Sequence, residues 1–225
     1  MHIKRDKETY ICEIRNTDIL SWSDGDTMVV GIANCVARKS NPRSFLGQVA
    51  EKFPYGNPYT KREKGCFDNL TAEKNRPVLG TCIVKVPPQR LDRLNRDVNQ
   101  DVNRDVNRQS SWPHFAILYA QYRMGNTNSS YFEKSSRIDE DYLYKSHYCD
   151  SKKDRLEYFK KSLIELGLMI WRDYPHIKKI AFPHRIGCGI AGGNWIDYKR
   201  VIEMFAKFMK TSYRKDVNFF IIGPN

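Results

Sequence analysis

Ile180-Ala-Phe-Pro-His-Arg-Ile-Gly-Cys-Gly-Ile-Ala-Gly-Gly-Asn-Trp195 is the stretch that decides how this chain folds. The apolar residues of 177–182 predict a short buried strand, and Asn194 is a suitable N-cap for a helix whose apolar residues recur at helical spacing. Between the two elements lie four glycines, at positions 187, 189, 192 and 193. Because glycine has no Cβ, backbone amides can approach a ligand closely there, and the helix N-terminus adds a partial positive charge. The stretch therefore predicts a phosphate-binding loop.

The segment from Gly187 to Gly192 also fits G-x-G-x-x-G, the dinucleotide-binding fingerprint of Rossmann domains. That fold needs several further βα units after the fingerprint and an acid at the end of the next strand. The residues after Gly192 suffice for one helix and one strand over Val217–Ile222. We therefore expect the loop to close an α/β domain. A Rossmann domain and a purely structural glycine turn are the alternatives.

Apolar runs upstream of this stretch predict the other elements. Strands are expected at Tyr10–Arg15, Met28–Ala33, Gly80–Val86 and His114–Tyr122. Helices are expected after Pro42, with this proline in the first turn, and over Asp154–Tyr174. Alternating strands and helices predict a single three-layer α/β domain over residues 1–225, with a mixed, largely parallel central sheet.

One segment, Arg90–Arg108, does not fit this alternation. Asp97-Val-Asn-Gln, Asp101-Val-Asn-Arg and Asp105-Val-Asn-Arg repeat every four residues. The repeat has too little apolar content to join a core, so we expect a low-complexity insertion at about 90–110. A charge-rich interaction segment is the alternative.

The positive net charge favours anionic partners, with solubility alone as the alternative. The formal net charge is +12, with 38 Lys and Arg against 26 Asp and Glu. The basic residues are spread along the chain, which weakens the case for a nucleic-acid-binding arm. Six cysteines without a disulfide-framework spacing predict a reducing compartment. The first residues lack the apolar core of a signal peptide, and no stretch has the length of a membrane span. We expect a cytoplasmic or nuclear protein without a membrane partner.

Four segments of the chain resemble motifs of the macro domain, the ADP-ribose-binding fold. They are Asn16-Thr-Asp18-Ile19, Gly31-Ile-Ala-Asn34, Arg43-Ser-Phe-Leu with Phe53-Pro-Tyr55 behind it, and Phe182–Trp195. The last match is the specific one. It resembles the branch that contains ADP-ribosyl-glutamate hydrolases and ADP-ribose-1″-phosphate phosphatases.

The resemblance implies a ligand, ADP-ribose or a close derivative, and a position for each of its parts. Asp18 would accept a hydrogen bond from the adenine amino group, and the amide of Ile19 would contact the ring. Asn34 would face the distal ribose. The diphosphate would lie between two loops, formed by Arg43, Ser44 and Phe45 and by Gly187, Cys188, Gly189, Ile190, Ala191 and Gly192. An ADP-ribosylated protein is the implied macromolecular partner.

The chain departs from the family's pattern at the residues used for hydrolysis. Ala191 stands where the hydrolases of this branch carry Asp, and Gln121 or Tyr122 stands where they use Lys. Pro42 and Ser44 replace glycines of the first loop. In the hydrolases, these Asp and Lys residues serve as the base and the nucleophile. Their absence argues against removal of ADP-ribose by the mechanism of those hydrolases.

Three polar residues remain as catalytic candidates. His184 suits a proton donor near neutral pH, or a ring packed under the loop. Asp150 suits a group that positions water or the ribose, or a helix N-cap. Asn34 suits an orienting group better than a base. Apart from these three, Cys188 in the loop suits a reactive thiol or a side chain packed behind the loop. His and Cys show no metal-ligand spacing, so we predict no metal and no cofactor.

Three functions remain open. The first is binding of ADP-ribose with hydrolysis of a group at its distal ribose, as in an ADP-ribose-1″-phosphate phosphatase. The second is a non-catalytic reader or sequestering protein for an ADP-ribose-like nucleotide. The third, from the charge alone, is an RNA-binding module, for which the sequence has no RNP-type or KH-type motif.

Overall fold

Six strands form one sheet in the computed structural model, which describes residues 10–65, 68–88, 112–123, 125, 150–213 and 216–223. The strands are β1 (Ile11–Arg15), β2 (Thr27–Asn34), β3 (Cys82–Lys85), β4 (His114–Gln121), β5 (Lys179–Pro183) and β6 (Asn218–Gly223). Their order across the sheet is β1-β6-β5-β2-β4-β3. Only the pairing of β3 with β4 is antiparallel among these strands. The predicted mixed, largely parallel sheet is therefore confirmed.

Helices cover both faces of this sheet. They are α1 (Ile19–Trp22), α2 (Phe45–Lys52), α3 (Lys152–Asp173) and α4 (Trp195–Ser212), with short 3-10 turns at Pro54–Gly56 and Glu73–Asn75. On β2, Met28 and Val30 belong to the core under α3 and α4, whereas Val29 belongs to the core under α1 and α2. Successive strand residues point to opposite faces, so both faces of β2 are buried. This gives the three layers that the sequence predicts.

Two predicted helix starts are corrected by the structure. Pro42 lies before α2 instead of in its first turn, because Ser44 is the N-cap and accepts a hydrogen bond from the Gly47 amide at 3.1 Å. Asp150 is not the N-cap of α3. Ser151 caps that helix in a capping box with Asp154, which leaves the Asp150 carboxylate for other partners.

The Rossmann alternative is contradicted by the topology. The glycine stretch joins β5 to α4, and α4 leads to β6, which pairs in parallel with β5 on one side and β1 on the other. A Rossmann fingerprint follows the first strand of its sheet. The stretch instead follows the fifth of the six described strands.

Several predictions lie outside the described residues. They concern the insertion at about 90–110 and two of the six cysteines, Cys66 and Cys149. The four described cysteines are free thiols: Cys12, Cys35, Cys82 and Cys188. None of the helices among the described residues has the length and hydropathy of a transmembrane span.

Replacing residues 92–108 with a short Gly/Ser linker is expected to leave the fold intact. β3 and β4 are antiparallel neighbours with Lys85 opposite Phe115, so a short connection spans the gap between them. Changing the loop length alters the closure free energy by only about 1 kcal/mol. Urea unfolding of the shortened and full-length chains measures the difference. A loss of most of the stability would contradict the prediction and show that the segment packs into the core.

Candidate functional site

β2 and β5 are parallel neighbours in the sheet, and the chain segments that follow them run to opposite faces. We therefore expect a crevice at the carboxyl ends of these two strands. After β2 the chain runs to α2 on one face, and after β5 it runs to α4 on the other. In open α/β sheets, ligands bind at the carboxyl ends of such strands, where the connections diverge. The two loops that the sequence predicts to bind phosphate therefore follow the two strands at which a crevice is expected.

The loop after β5 keeps part of its backbone available to a ligand. Three of its amides donate hydrogen bonds within the loop, those of Cys188, Gly192 and Gly193. Four others have no acceptor in the described part of the chain, those of Gly187, Gly189, Ile190 and Ala191. Successive free amides on a turn form a concavity that suits an anion. The amides of Cys188 and Gly192, which the sequence also assigns to ligand binding, are already engaged.

The glycines of this loop have different roles. Gly187 and Gly192 have φ of 74° and 71°, in the left-handed region that side chains disfavour. A Cβ on Gly187 would lie 2.5 Å from the Tyr198 ring, and one on Gly193 would lie 2.6 Å from the Gly187 carbonyl oxygen. A Cβ on Gly189 would have no protein atom within 4 Å. The fold therefore needs Gly187 and Gly193, whereas position 189 has open space in front of it.

The side chains of Cys188 and His184 pack against the protein. Cys188 contacts the core under α4, and burial raises the pKa of its thiol to about 11, so it is protonated at neutral pH. The His184 ring lies edge-on to Trp195, with ring centroids 5.1 Å apart, and its backbone amide donates to Ile222 on β6. β6 lies on the opposite side of β5 from β2. His184 is therefore nearer the β1 side of the sheet than the β2 side.

The Asp150 carboxylate is buried and fully hydrogen-bonded. It accepts from the backbone amides of Tyr122 and Arg123 at 3.1 and 2.9 Å, at the end of β4. It also accepts from Nε and Nη2 of Arg155 at 2.9 and 2.8 Å. Both side chains are almost completely buried, with 2% of Arg155 and 3% of Asp150 exposed. In this arrangement Asp150 holds protein groups in place.

Arg155 extends the same network to the glycine loop. Its Nη1 donates to the carbonyl oxygens of Gly125 and Ala191, at 2.7 and 3.1 Å. One guanidinium thus fixes the end of β4, the start of α3 and the loop that carries the free amides. Of this pair, only Asp150 has a role predicted from the sequence. A signal for its burial is nevertheless present, because Arg155 is spaced four residues from Phe159 and eight from Leu163. This spacing places a charged residue on the buried face of α3.

The loop after β2 is held in a similar way. Asn34 Oδ1 accepts from the Ala37 amide at 2.6 Å, which leaves the NH₂ group of this side chain as its donor. Arg62 Nη1 donates to the carbonyl oxygens of Cys35 and Ala37. A Cβ on Gly31 would lie 2.7 Å from Leu46, so a glycine there lets α2 pack closely on β2. The sequence predicts no role for Arg62.

The N-terminus of α2 carries the other loop that the sequence predicts to bind phosphate. The Arg43 and Ser44 amides are engaged with Asn41, whereas those of Phe45 and Leu46 have no acceptor among the described residues. Arg43 is exposed and forms no ion pair within that part of the chain. Its guanidinium is available to an anion.

Asp18 caps α1 at the β1 edge. Its carboxylate accepts hydrogen bonds from the Leu20 amide and the Ser21 hydroxyl, and Lys52 Nζ lies 3.6 Å away. Partial burial opposes ionisation, but these hydrogen bonds and Lys52 outweigh it, so the pKa of Asp18 lies below its usual value. The side chain remains 56% exposed, so an ionised acceptor is accessible to a ligand.

A second concave surface borders the loop after β2, because Arg62 both holds that loop and lines this surface. A groove of about 410 Å³ beside β3 and β4 is lined by residues that include Lys61, Arg62, Asn75 and Tyr119. No group of three or more His, Cys, Asp or Glu side chains that could hold a metal ion occurs among the described residues.

Comparisons with known proteins identify the class of fold. No protein-family model and no curated protein matches the sequence. Among solved structures, the chain is similar to the macrodomain of Thermus aquaticus DarG, with a TM-score of 0.52 over 95% of this chain and 98% of that chain. The sequences are 14% identical. The three-layer α/β structure is thus a macrodomain fold, as the sequence resemblance predicts.

Asp150→Asn is expected to lower the free energy of unfolding by about 3 kcal/mol, because it leaves the Arg155 charge buried without its counterion. Asp173→Asn is the matched control, since its pair with Arg172 is exposed and should have no measurable effect. Urea denaturation of both variants measures the difference. Equal stability of the two variants would contradict the structural role assigned to Asp150.

Proposed function

We propose that the protein binds ADP-ribose or a close derivative along the carboxyl ends of β1, β6, β5 and β2. The observation that carries this proposal is the set of free amides in the glycine loop, opposite the N-terminus of α2, in a chain with the macrodomain fold. Backbone amides at helix N-termini favour phosphate oxygens. The diphosphate of the ligand would lie between the two loops.

The order of the strands supports an elongated ligand. Asp18 follows β1 and Asn34 ends β2, and β6 and β5 lie between these strands. β1 and β2 are three strand spacings apart, so the distance between them across the sheet is about 14 Å. The glycine loop follows β5, between the two ends. A ligand with a base at one end, a diphosphate in the middle and a ribose at the other end would match this order.

Charge supports the same ligand. Arg43 presents an exposed guanidinium beside the first loop, and the formal net charge of +12 favours approach of a dianion. The ionised Asp18 carboxylate is an acceptor only, which suits the amino group of adenine.

The geometry favours a reader or sequestering protein over a hydrolase. The Asp150 carboxylate is occupied by Arg155 and two amides, and Gln121 Nε2 donates to the carbonyl oxygens of Arg123 and Gly125. His184 contacts β6, away from Asn34. These side chains lack a free base near the expected position of the distal ribose. An ADP-ribosylated protein would be the natural partner of such a reader.

Hydrolysis at the distal ribose is the second candidate, and Asn34 is the residue that favours it. Its Oδ1 is fixed by the Ala37 amide, so its NH₂ group could orient a ribose hydroxyl or a 1″-phosphate. The macrodomain fold and the phosphate loop would serve this activity equally well.

Isothermal titration calorimetry with ADP-ribose tests the proposal. We expect saturable binding, with AMP binding more weakly because it cannot reach both loops and Asn34. Phosphate release from ADP-ribose 1″-phosphate then separates the candidates. Release that is lost in Asn34→Ala would favour hydrolysis, and no release would leave binding as the function. The absence of ADP-ribose binding would overturn the proposal.

Gly189→Val is expected to abolish ADP-ribose binding without loss of stability. The new side chain points into open space in the free protein, but it would occupy the approach to the free amides. Gly187→Ala is the contrasting variant, expected to lower stability by about 2 kcal/mol through its positive φ and its clash with Tyr198. Calorimetric titration and thermal melting measure the two effects. A stable Gly189→Val protein with normal affinity would contradict the position proposed for the diphosphate.

Asp18→Ser is expected to weaken ADP-ribose binding by roughly 1.5–3 kcal/mol, the scale of a hydrogen bond to a charged group. Serine caps helices as well as aspartate does, so the stability of α1 should be kept, but its side chain is too short to reach the base. Asp18→Ala should show the same loss of affinity with an added loss of stability. Normal affinity of Asp18→Ser would show that Asp18 only caps the helix.

A further inference from the structure

The groove beside β3 and β4 has the size and the apolar walls of a small-molecule site. Its volume is about 410 Å³, within the range of ligand pockets in proteins. The walls include Pro58, Pro77, Val78 and Ile83. Such pockets combine apolar walls with a few polar groups that fix the orientation of a ligand. The polar groups of this groove therefore indicate what it can hold.

Arg62, which lines the groove, is a buried charge without a counterion. The residue is 9% exposed, and no carboxylate lies within ion-pair distance of it in the described part of the chain. Arg155, the other buried arginine among the described residues, has the Asp150 carboxylate as its counterion. Buried charges in proteins are normally paired, because an isolated one is costly. Arg62 therefore favours an anion from outside the described chain.

The titratable neighbours of Arg62 stay neutral near pH 7. Its Cζ lies 4.4 and 5.8 Å from the ring centroids of Tyr59 and Tyr119. Burial raises the pKa of the Tyr59 hydroxyl and of the Cys35 thiol to about 12 each, and it also raises the pKa of Tyr119. These groups remain protonated, so none of them balances the guanidinium charge.

Two buried polar atoms of the groove lining have no hydrogen-bond partner among the described residues. They are Arg62 Nη2, which is a donor, and Asn75 Oδ1, which is an acceptor. Nη1 of the same arginine, by contrast, donates to the carbonyl oxygens of Cys35 and Ala37. An unpaired buried polar atom is costly. The pair of atoms therefore favours a ligand with one acceptor and one donor.

Lys61 adds positive charge to the groove. It lines the groove, is exposed, and forms no ion pair within the described ranges. Burial and the charge of Lys61 lower the pKa of Lys85, which lies further along β3. The described lining contains no carboxylate, since Glu63 and Glu73 lie outside it. The potential in the groove is thus positive and attracts anions.

We infer that the groove binds a small organic anion that carries an apolar body and a hydrogen-bond donor. The anionic group pairs with Arg62 and Lys61, and the donor bonds to Asn75 Oδ1. The apolar body lies against the walls of the groove. Because the guanidinium is already removed from water, the ligand gains its attraction without that part of the desolvation cost.

This site is separate from the one proposed for ADP-ribose. The groove borders the loop after β2 through Arg62, but none of its lining residues belongs to the two loops that carry the free amides. The inference therefore does not rest on the proposed function, and each can fail without the other.

Amide chemical shifts of the full chain, measured by NMR during titration with simple probes, test the inference. The probes are meta- and para-hydroxybenzoate, benzoate without the donor, benzyl alcohol without the charge, and inorganic phosphate without the apolar body. We expect saturable shifts at Val78, Thr81 and Ile83, with dissociation constants in about the millimolar range for the better hydroxybenzoate. Benzoate should bind about fivefold more weakly, the scale of one hydrogen bond. Benzyl alcohol and phosphate should not saturate.

Two variants change the groove while keeping Arg62, whose loss would also release the loop after β2. Lys61→Gln should weaken hydroxybenzoate binding by roughly two- to fivefold, as expected for an exposed charge. Asn75→Asp should weaken it by at least about tenfold, because the new carboxylate repels the anion. Lys64→Gln is the matched control, with the same change of charge at an exposed lysine outside the groove, and should leave the affinity unchanged.

Four results would overturn the inference. The first is the absence of saturable shifts in the groove with every probe. The second is equal weakening by Lys61→Gln and Lys64→Gln, which would show general attraction to a chain of charge +12. The third is phosphate binding as tightly as the hydroxybenzoates, which would show an adventitious ion only. The fourth is displacement of the probe by ADP-ribose, which would assign the groove to the nucleotide.

Discussion

The buried ion pair between Asp150 and Arg155 is the interaction on which the candidate site depends. Two opposite charges are almost completely excluded from water, and every polar atom of the carboxylate has a partner. Separating the two groups would leave each charge buried without its counterion, which is strongly unfavourable. The pair therefore holds the groups around it in place. Through Arg155 the rigidity reaches the carbonyl group of Ala191, so the turn with the free amides is held by the core. A ligand would then meet amides that are already oriented, at little entropic cost.

The sequence predicts most of the elements because their signals are local. β4 is buried along its whole length, and an unbroken apolar run is typical of such a strand. α3 has the three- and four-residue apolar spacing of a helix that covers a sheet. The glycine stretch predicts the loop because its backbone needs positive φ at Gly187 and Gly192. These features depend on neighbouring residues only.

The remaining features depend on contacts between residues far apart in the chain. Arg155 bonds to Ala191 and Arg62 bonds to Cys35 and Ala37, and no local pattern reveals these partners. The different roles of Gly187 and Gly189 are also hidden in the sequence, because the difference lies in the Tyr198 ring that packs behind one of them. Strand order has the same origin, since the position of β5 between β6 and β2 follows from packing of the whole sheet.

Amide chemical shifts measured by NMR during an ADP-ribose titration would report directly whether a diphosphate binds to the free amides of the loop after β5. We expect the largest shifts at Gly189, Ile190 and Ala191, with Phe45 and Leu46 next, because these amides have no acceptor among the described residues. Gly193 should shift less, since its amide already donates to Gly187. Shifts that are largest around Lys61 and Asn75, with the loop unaffected, would contradict the account and place the ligand in the groove beside β3 and β4.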